Sequence, residues 1–518
     1  MNVVIRADAS AVMGVGHIMR SLTLAEGLRV RDAAVQFVCR RHEGNLIGLI
    51  KQRNFSVVEL AAPEGEYSFR DDSAHAQWIG AHWRDDALQT IAAIETLGNH
   101  VDWLVVDHYG LDHKWESMMR STARRVFVVD DLADRRHDCD VLLDQNLVED
   151  FQSRYLNKAP LRCRLMLGPR YALLSPLYLQ MRQYLPPRDG KIRKILISFG
   201  GFDRHDLAVV ALRAFLQLGR PDIELDIVVS HYGRTANAVR AAAHGLQNVR
   251  VHIDAPTLAP LIATADLAIG AVGSTSWERL CLGLYAIAIT TAENQIPLAV
   301  ALHSRGLIEW LGHCDQVSLE KLRDAMRQAI ERGVDQSTVR ECLQVVDGAG
   351  LQRVLTTMLL DLTTRLIARY ATAEDEVLLL EWANDLTTRQ NSLSSSRISE
   401  VEHHRWFCTK LEDRENCKMY IVETMDAVAV GQVRFERENT CWAINYSIAA
   451  PYRGIGLGRR IIDLALVRFF EHHREVHLIA RVAASNAASH KVFSNMGFVA
   501  TTSSNGIAEY RLATRTCS

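Results

Sequence analysis

The sequence predicts an α/β protein: two Rossmann-like, doubly wound domains in tandem, followed by a smaller α+β module. Three observations carry this. Short, continuously apolar runs alternate with amphipathic stretches through the first 345 or so residues, as expected of buried parallel strands joined by helices. The pattern restarts after QYLPPRDGKIRK (183–194), a segment rich in Pro and charge that reads as a linker. Beyond about residue 365 the alternation gives way to consecutive strands and then a Gly-rich turn and a long helix.

In the first half, strands are expected at 2–7, 35–39, 102–108, 125–131 and 141–144, with a helix at 17–31. In the second, they are expected at 194–199, 225–230, 249–253, 266–271 and 286–290, with a helix at 206–219. Residues 318–365 are helical in pattern. The last module reads as a helix (377–386), three antiparallel strands (418–423, 427–436, 441–449), a helix (457–473), a strand (477–482) and a helix (487–497). The expected boundaries are 1–184, 190–345, a helical linker 346–364, and 365–518. At about 150 residues per domain, 518 residues make room for roughly three.

Composition narrows the function. Lys+Arg (59) nearly equals Asp+Glu (61), which argues against a nucleic-acid binder. The ten cysteines form no CxxC pair, so neither a zinc ribbon nor a disulfide scaffold is expected. No run of about 18 apolar residues occurs, so no membrane span is expected. The start, MNVVIRADAS, reads as a first strand rather than a signal peptide. A cytoplasmic protein is expected.

The sharpest motif is Arg453-Gly454-Ile455-Gly456-Leu457-Gly458, between a strand and a long helix. Glycines there let backbone approach a pyrophosphate, and the helix start supplies free N–H groups. About 30 residues on come Asn486 and then Gly497-Phe498. Together these resemble the acetyl-CoA site of the GNAT acetyltransferases. The resemblance implies that Arg453, Gly454, Gly456, Gly458 and Asn486 bind acetyl-CoA. Phe493 stands where that family often has a Tyr that protonates the departing thiolate, so another acid, or water, is expected in that role. Trp382, Asn384, Asp385 and Arg389, with Glu402, His404 and Trp406, loosely resemble a subset that includes a sugar-amine acetyltransferase. Glu402 and His404 are candidate bases by that analogy.

In the N-terminal part, the loop after the first strand runs Arg6 to Arg20 and holds Gly14-Val15-Gly16-His17. It is not a dinucleotide fingerprint, because Met19 takes the place of the last Gly. It sets His17 at a helix start, where the neutral imidazole is favoured and able to accept a proton. Gly200-Gly201, and Gly273-Ser274-Thr275 with Glu278, form two more strand-to-helix turns. They suit a diphosphate and, at Glu278, the hydroxyls of a ribose. Asn294-Gln295 follow a further strand. This order is that of a nucleotide-sugar enzyme of GT-B type.

Residues 1 to about 345 resemble the UDP-sugar hydrolases of the pseudaminic acid pathway, the PseG family. The carrying residues are Arg6, Asp8, Gly14, Gly16, His17, Asp107-His108-Tyr109-Gly110, Asp130-Asp131, Cys139-Asp140, Leu142-Leu143, Tyr171-Ala172-Leu173, Gly200-Gly201, Glu278 and Asn294-Gln295. The resemblance implies that His17 is the catalytic base. It implies a substrate of UDP-2,4-diacetamido-2,4,6-trideoxy-β-L-altropyranose, with Asp107, His108, Tyr109 and Tyr171 near it. No metal is expected. The C-terminal module is similar to the acetyltransferase acting one step earlier, on the 4-amine. The expected partners are therefore a UDP-linked amino sugar and acetyl-CoA, with no nucleic acid and no membrane. Two alternatives are a glycosyltransferase of the same fold and a C-terminal module that only binds acyl-CoA. A third is acetylation of a protein N-terminus or an antibiotic.

Overall fold

A computed structural model describes residues 1–63, 75–98, 100–231, 235–473, 476–504 and 506–512; side chains of 152 and 502–504 are left out of the description. Two compact units result, Met1–Leu355 and Thr356–Ser518. Cys517 lies outside the described residues.

The first unit contains two parallel sheets. Sheet one holds β1 (Asn2–Ala7), β2 (Ala34–Arg40), β3 (Ser56–Leu60), β4 (Val101–Asp107), β5 (Ala123–Val129), β6 (Val141–Asp144) and β7 (Arg164–Leu167). Their order is β3-β2-β1-β4-β5-β6-β7. Sheet two holds β8 (Lys194–Ser198), β9 (Glu224–Val229), β10 (Val249–Ile253), β11 (Leu267–Ala271), β12 (Ala286–Thr290) and β13 (Ile308–His313), in the order β10-β9-β8-β11-β12-β13. All neighbours are parallel. Both sheets are doubly wound, and the strand order reverses beside β1 in one and β8 in the other. Ligands of such sheets bind outside the carboxyl ends of the strands at that switch point.

The apolar runs explain the central strands. Ile5, Phe37, Leu104, Val105 and Phe127 are fully buried, as are Ile195, Ile197, Ile227 and Ile287. The last helical stretch of the unit turns back to the first sheet's layer. Gly350 lies against the backbone of Ala172, and Leu351 and Leu355 press on Gly27 of the helix Gly16–Arg29. The two lobes with this returning helix form a GT-B fold.

The second unit has a mixed sheet. Its strands are β14 (Leu366–Tyr370), β15 (Cys417–Thr424), β16 (Ala429–Glu438), β17 (Cys441–Ile448), β18 (His477–Ala483), β19 (Val499–Ser504) and β20 (Ile507–Leu512), in the order β14-β15-β16-β17-β18-β20-β19. Only β17 and β18 run parallel. The helix Leu457–Phe470 packs Ile461, Ile462, Ala465 and Phe469 into the core. The helix expected at 377–386 instead ends at Asn384 and restarts as Leu386–Gln390, because Asp385 takes an extended conformation and caps Thr388. Among the described residues no helix is long and apolar enough to cross a membrane.

Candidate active sites

β1 ends at Ala7, and the chain then makes a tight loop. The Ser10 hydroxyl accepts from the N–H groups of Val12 and Met13, and Gly14 N–H closes on Ser10 C=O. The helix starts at Gly16, so His17 stands in its first turn. Asp107 is the last residue of the neighbouring β4, so the switch point of sheet one brings together residues 90 apart in sequence.

His17 Nδ1 lies 2.6 Å from Asp107 Oδ1. Arg20, one turn on, donates from Nε and Nη2 to both oxygens of Asp107, at 2.7 and 2.6 Å. Its Nη1 reaches Asp131 at 2.9 Å. Asp131 in turn accepts from the Tyr109 hydroxyl, and the Tyr109 ring meets the His17 ring edge-on, with centroids 4.4 Å apart. Burial alone would raise the Asp107 carboxyl. The Arg20 and His17 charges outweigh it and hold the group at about 2, so Asp107 is an anion at any working pH. A carboxylate there accepts a hydrogen bond from Nδ1–H, which fixes that tautomer and leaves Nε2 as the basic atom of the ring.

Three expected substrate residues are placed otherwise. Arg6, Asp8 and His108 are essentially fully buried. Arg6 pairs with Asp8 and Asp86, each at 2.8 Å. His108 lies among them, its Nδ1 accepting from Gly110 N–H, and burial pushes it down to about 3. These groups form the floor of the lobe, since their charges are already matched in the interior. Asp107 likewise serves His17 rather than a sugar. Tyr171 is buried in a short turn after β7, with Arg170 over its ring.

The second lobe supplies backbone. The loop after β8 carries Gly200-Gly201, and a Cβ on Gly201 would lie 2.8 Å from the Val15 side chain. Only a glycine lets this turn come so close to the loop of His17, so the two switch points meet. After β11, Gly273 is the N-cap of the helix Ser274–Cys281. Its own N–H donates to Ser276 Oγ and that of Ser276 to Gly273 C=O, which leaves the N–H groups of Ser274 and Thr275 as the unpaired ones of the helix start. Beneath it, the Arg279 guanidinium is buried and donates to Ala271 C=O and Ser276 Oγ. Burial draws it down to about 10, so it remains a cation behind the turn. Glu278 has one oxygen, Oε2, buried without a partner. Burial pushes its carboxyl up to about 7, and the neighbouring Tyr178 and Arg279 offset only part of that. The Tyr178 hydroxyl is the carboxyl's near donor, and acceptor capacity remains for the hydroxyls of a ligand. Gln295 accepts from Thr291 N–H, and Asn294 sits beside it in a short turn, half-buried. Elsewhere in this lobe His205, Cys314 and Asp315 place three metal-ligating atoms within 4.8 Å of one another. None of the three belongs to the His17 cluster.

Sequence reasoning assigned no role to Arg20 or Arg279, and took Asp131 only as one of the residues that carry the family resemblance. Arg20 was legible as one turn beyond His17. The other two act through contacts that only the fold creates.

In the second unit Gly456 is the N-cap of the helix Leu457–Phe470, at φ +84°, a conformation that glycine takes without strain. Gly454 is also left-handed, and Gly458 is buried in the helix's first turn. The result is a turn of N–H groups at a helix start, fit for a pyrophosphate. Arg453, expected to reach the cofactor, turns elsewhere. Its Nη1 pairs with Asp385 at 2.6 Å, Nη2 donates to Thr388, and Nε donates to Ile448 C=O. It ties the glycine turn to the segment 385–388, because Asp385 offers it a nearby carboxylate. Asn486 caps the helix Ala487–Asn495 through Ser489 N–H.

β17 and β18 pair only as far as Ile444 and Ala480. Each then continues along its outer neighbour, β17 to Ile448 and β18 to Ala483. The sheet therefore splays beside the glycine turn, leaving backbone groups of both strands without a ladder partner. Of the candidate bases, Glu402 is engaged with Ser399, which lowers its carboxyl, and His404 pairs with Glu376 at the surface. Trp382 is core; Asn384 clamps the backbone of Ile398.

Residues 365–499 match the family model described as an acetyltransferase (GNAT) domain. The chain is 26% identical over 309 residues to the UDP-2,4-diacetamido-2,4,6-trideoxy-beta-L-altropyranose hydrolase of Campylobacter jejuni, covering 59% of this chain and 97% of that one. It is 24% identical to the spore coat polysaccharide biosynthesis protein SpsG of Bacillus subtilis, over 70% of this chain and 98% of the other. An uncharacterized protein of Methanocaldococcus jannaschii, MJ1062, is 20% identical over 96% of both chains. The class is therefore an α/β enzyme in two parts, a GT-B pair of lobes and a GNAT acetyltransferase domain. More particularly, the chain resembles a fusion of a PseG-like hydrolase with a GNAT-family N-acetyltransferase.

Proposed function

We propose that the chain is a bifunctional nucleotide-sugar enzyme of pseudaminic acid biosynthesis, working in the cytoplasm. Its first unit hydrolyses UDP-2,4-diacetamido-2,4,6-trideoxy-β-L-altropyranose to the free sugar and UDP. Its second acetylates the 4-amine of the precursor UDP-sugar with acetyl-CoA. The observation that carries the hydrolase reading is the His17–Asp107 pair, at 2.6 Å, opposite a lobe of backbone anion turns.

The mechanism follows. UDP sits on the second lobe, its ribose hydroxyls donating to Glu278 and its diphosphate on the N–H groups of Ser274 and Thr275, with the Arg279 charge behind. His17 Nε2 takes a proton from water as the water attacks the anomeric carbon. The carbon–oxygen bond breaks, and its electron pair leaves on the diphosphate, a stable anion that needs little acid help. Asp107 steadies the imidazolium, and Arg20, itself held by Asp131, fixes Asp107. In the second unit the glycine turn at 454–458 holds the CoA pyrophosphate, the splay between β17 and β18 admits its extended arm, and the neutral sugar amine attacks the thioester.

The test is incubation of the full chain with UDP-4-amino-4,6-dideoxy-β-L-AltNAc and acetyl-CoA, following CoA and UDP by mass spectrometry. Stepwise release of both is expected. UDP release that requires an added sugar acceptor would replace the hydrolase with a glycosyltransferase.

A further inference from the structure

The acetyl-transfer reading leaves one chemical need unmet: a proton for the departing thiolate. Phe493, on the helix Ala487–Asn495, has none to give, and it is buried against Phe498 and Tyr510. A hydroxyl nevertheless stands beside it. Tyr446 of β17 meets the Phe493 ring edge-on, centroids 5.7 Å apart. Its hydroxyl lies 3.0 Å from Ser489 Oγ, one turn earlier on the same helix. A Cβ built on Gly458, in the first turn of the helix that follows the glycine loop, would be 3.7 Å from that hydroxyl.

The strand places Tyr446 where the sheet opens. Trp442 and Ile444 point into the core, and Tyr446, two residues further, shares their face by the period-2 rule. It is the first residue on that face beyond Ile444, the last to pair with β18. Its ring therefore borders the splay, between the glycine turn and the helix that carries Phe493.

We propose that Tyr446 is the proton donor of acetyl transfer, its hydroxyl replacing the one that position 493 lacks. This rests on the acetyltransferase reading above. The amine nitrogen attacks the thioester carbonyl carbon and forms the new C–N bond. As the intermediate collapses the C–S bond breaks and its electron pair goes to sulfur. The Tyr446 O–H delivers its proton there, giving CoA thiol, and the phenolate recovers a proton through the Ser489 hydroxyl from solvent. The amine's surplus proton leaves to water. Burial raises the Tyr446 phenol above its ordinary value, which keeps the donor protonated at neutral pH.

The experiment compares wild type, Tyr446→Phe and the double variant Tyr446→Phe/Phe493→Tyr in the full chain, with acetyl-CoA and the 4-amino UDP-sugar. Tyr446→Phe should lower kcat by about 10- to 100-fold, with the KM for acetyl-CoA and CoA binding by calorimetry changed less than about twofold. That split separates proton donation from a merely structural role. UDP release from the diacetamido sugar nucleotide should be unchanged, which checks the first unit, while the retained CoA binding checks the fold of the second. The double variant should recover part of the lost kcat. An unchanged kcat in Tyr446→Phe, or a loss that falls wholly on KM and CoA affinity, overturns the assignment to Tyr446 alone. A wild type that releases no CoA from this pair of substrates overturns the acetyltransferase reading, and the assignment with it.

Discussion

The loop of His17 and the turns at 273–275 and 454–458 all join a strand to a helix, yet they work by different means. In the proposed reactions the His17 loop acts through side chains, each fixed by charge from elsewhere: His17 by Asp107 of β4, Asp107 by Arg20, and Arg20 by Asp131. The other turns act through backbone N–H groups, positioned by glycine and a helix start. A base needs one atom at one orientation, which only a network of partners can give. An anion needs several donors around a charge, which the chain can supply by its own curvature.

Five changes break or sharpen this contrast. The largest effect is expected of His17→Ala or His17→Asn, which should cut UDP release by about 10²- to 10⁴-fold and leave acetylation intact; wild-type hydrolysis in either variant would refute the base. Asp107→Asn should come next, with about 10²- to 10³-fold less UDP release and a lower melting temperature, since Arg20 loses its buried partner. Ground-state UDP binding, measured by calorimetry, should change little.

Leu355→Ala tests the packing behind the His17 helix. Leu355 is buried and presses on Gly27 of that helix, so the first unit should lose about 2–5 kcal/mol in denaturant titration. Gly456→Val probes the backbone class. A β-branched residue at φ +84° is strained, which should weaken CoA binding by about 10- to 100-fold while UDP release persists.

The smallest expected effect is a pH dependence. Burial lifts Glu278 to about 7, and ribose hydroxyls donate best to its ionised form. UDP binding should therefore release a proton, and affinity should rise by about tenfold between pH 6 and pH 8, then level off. Calorimetry in buffers of different ionisation enthalpy reads both. A flat profile would remove Glu278 from the ribose site. Read as stability, the sign is the reverse: a carboxyl raised in the folded state makes the free protein less stable as pH rises from about 4.5 to about 7.

The central strands were legible because parallel strands covered on both faces need continuous apolar runs, as in β1, β8 and β12. The unforeseen ones are mostly edges: β3 and β7 of sheet one, β13 of sheet two, β14 and β19 of the last sheet. An edge strand is covered less fully, so its sequence mixes polar residues into the run, as SVVEL and IEWLGH do. The site residues divide the same way. His17, Gly273, Glu278 and Gly456 carry their meaning in local spacing. Arg6, Asp8 and His108 carry the same signal but are sealed beneath the site, and Arg453 is drawn to Asp385.

The sequence by itself determined the periods of the elements, the glycine turns and the histidine at a helix start, because those depend on neighbours along the chain. Tertiary structure alone decided which charges are spent in the interior, which carboxylate orients the imidazole, and that a tyrosine hydroxyl of β17 lies beside Phe493. These depend on residues tens of positions apart meeting at a switch point or a splay, and on the energy of burying each charge with or without a partner.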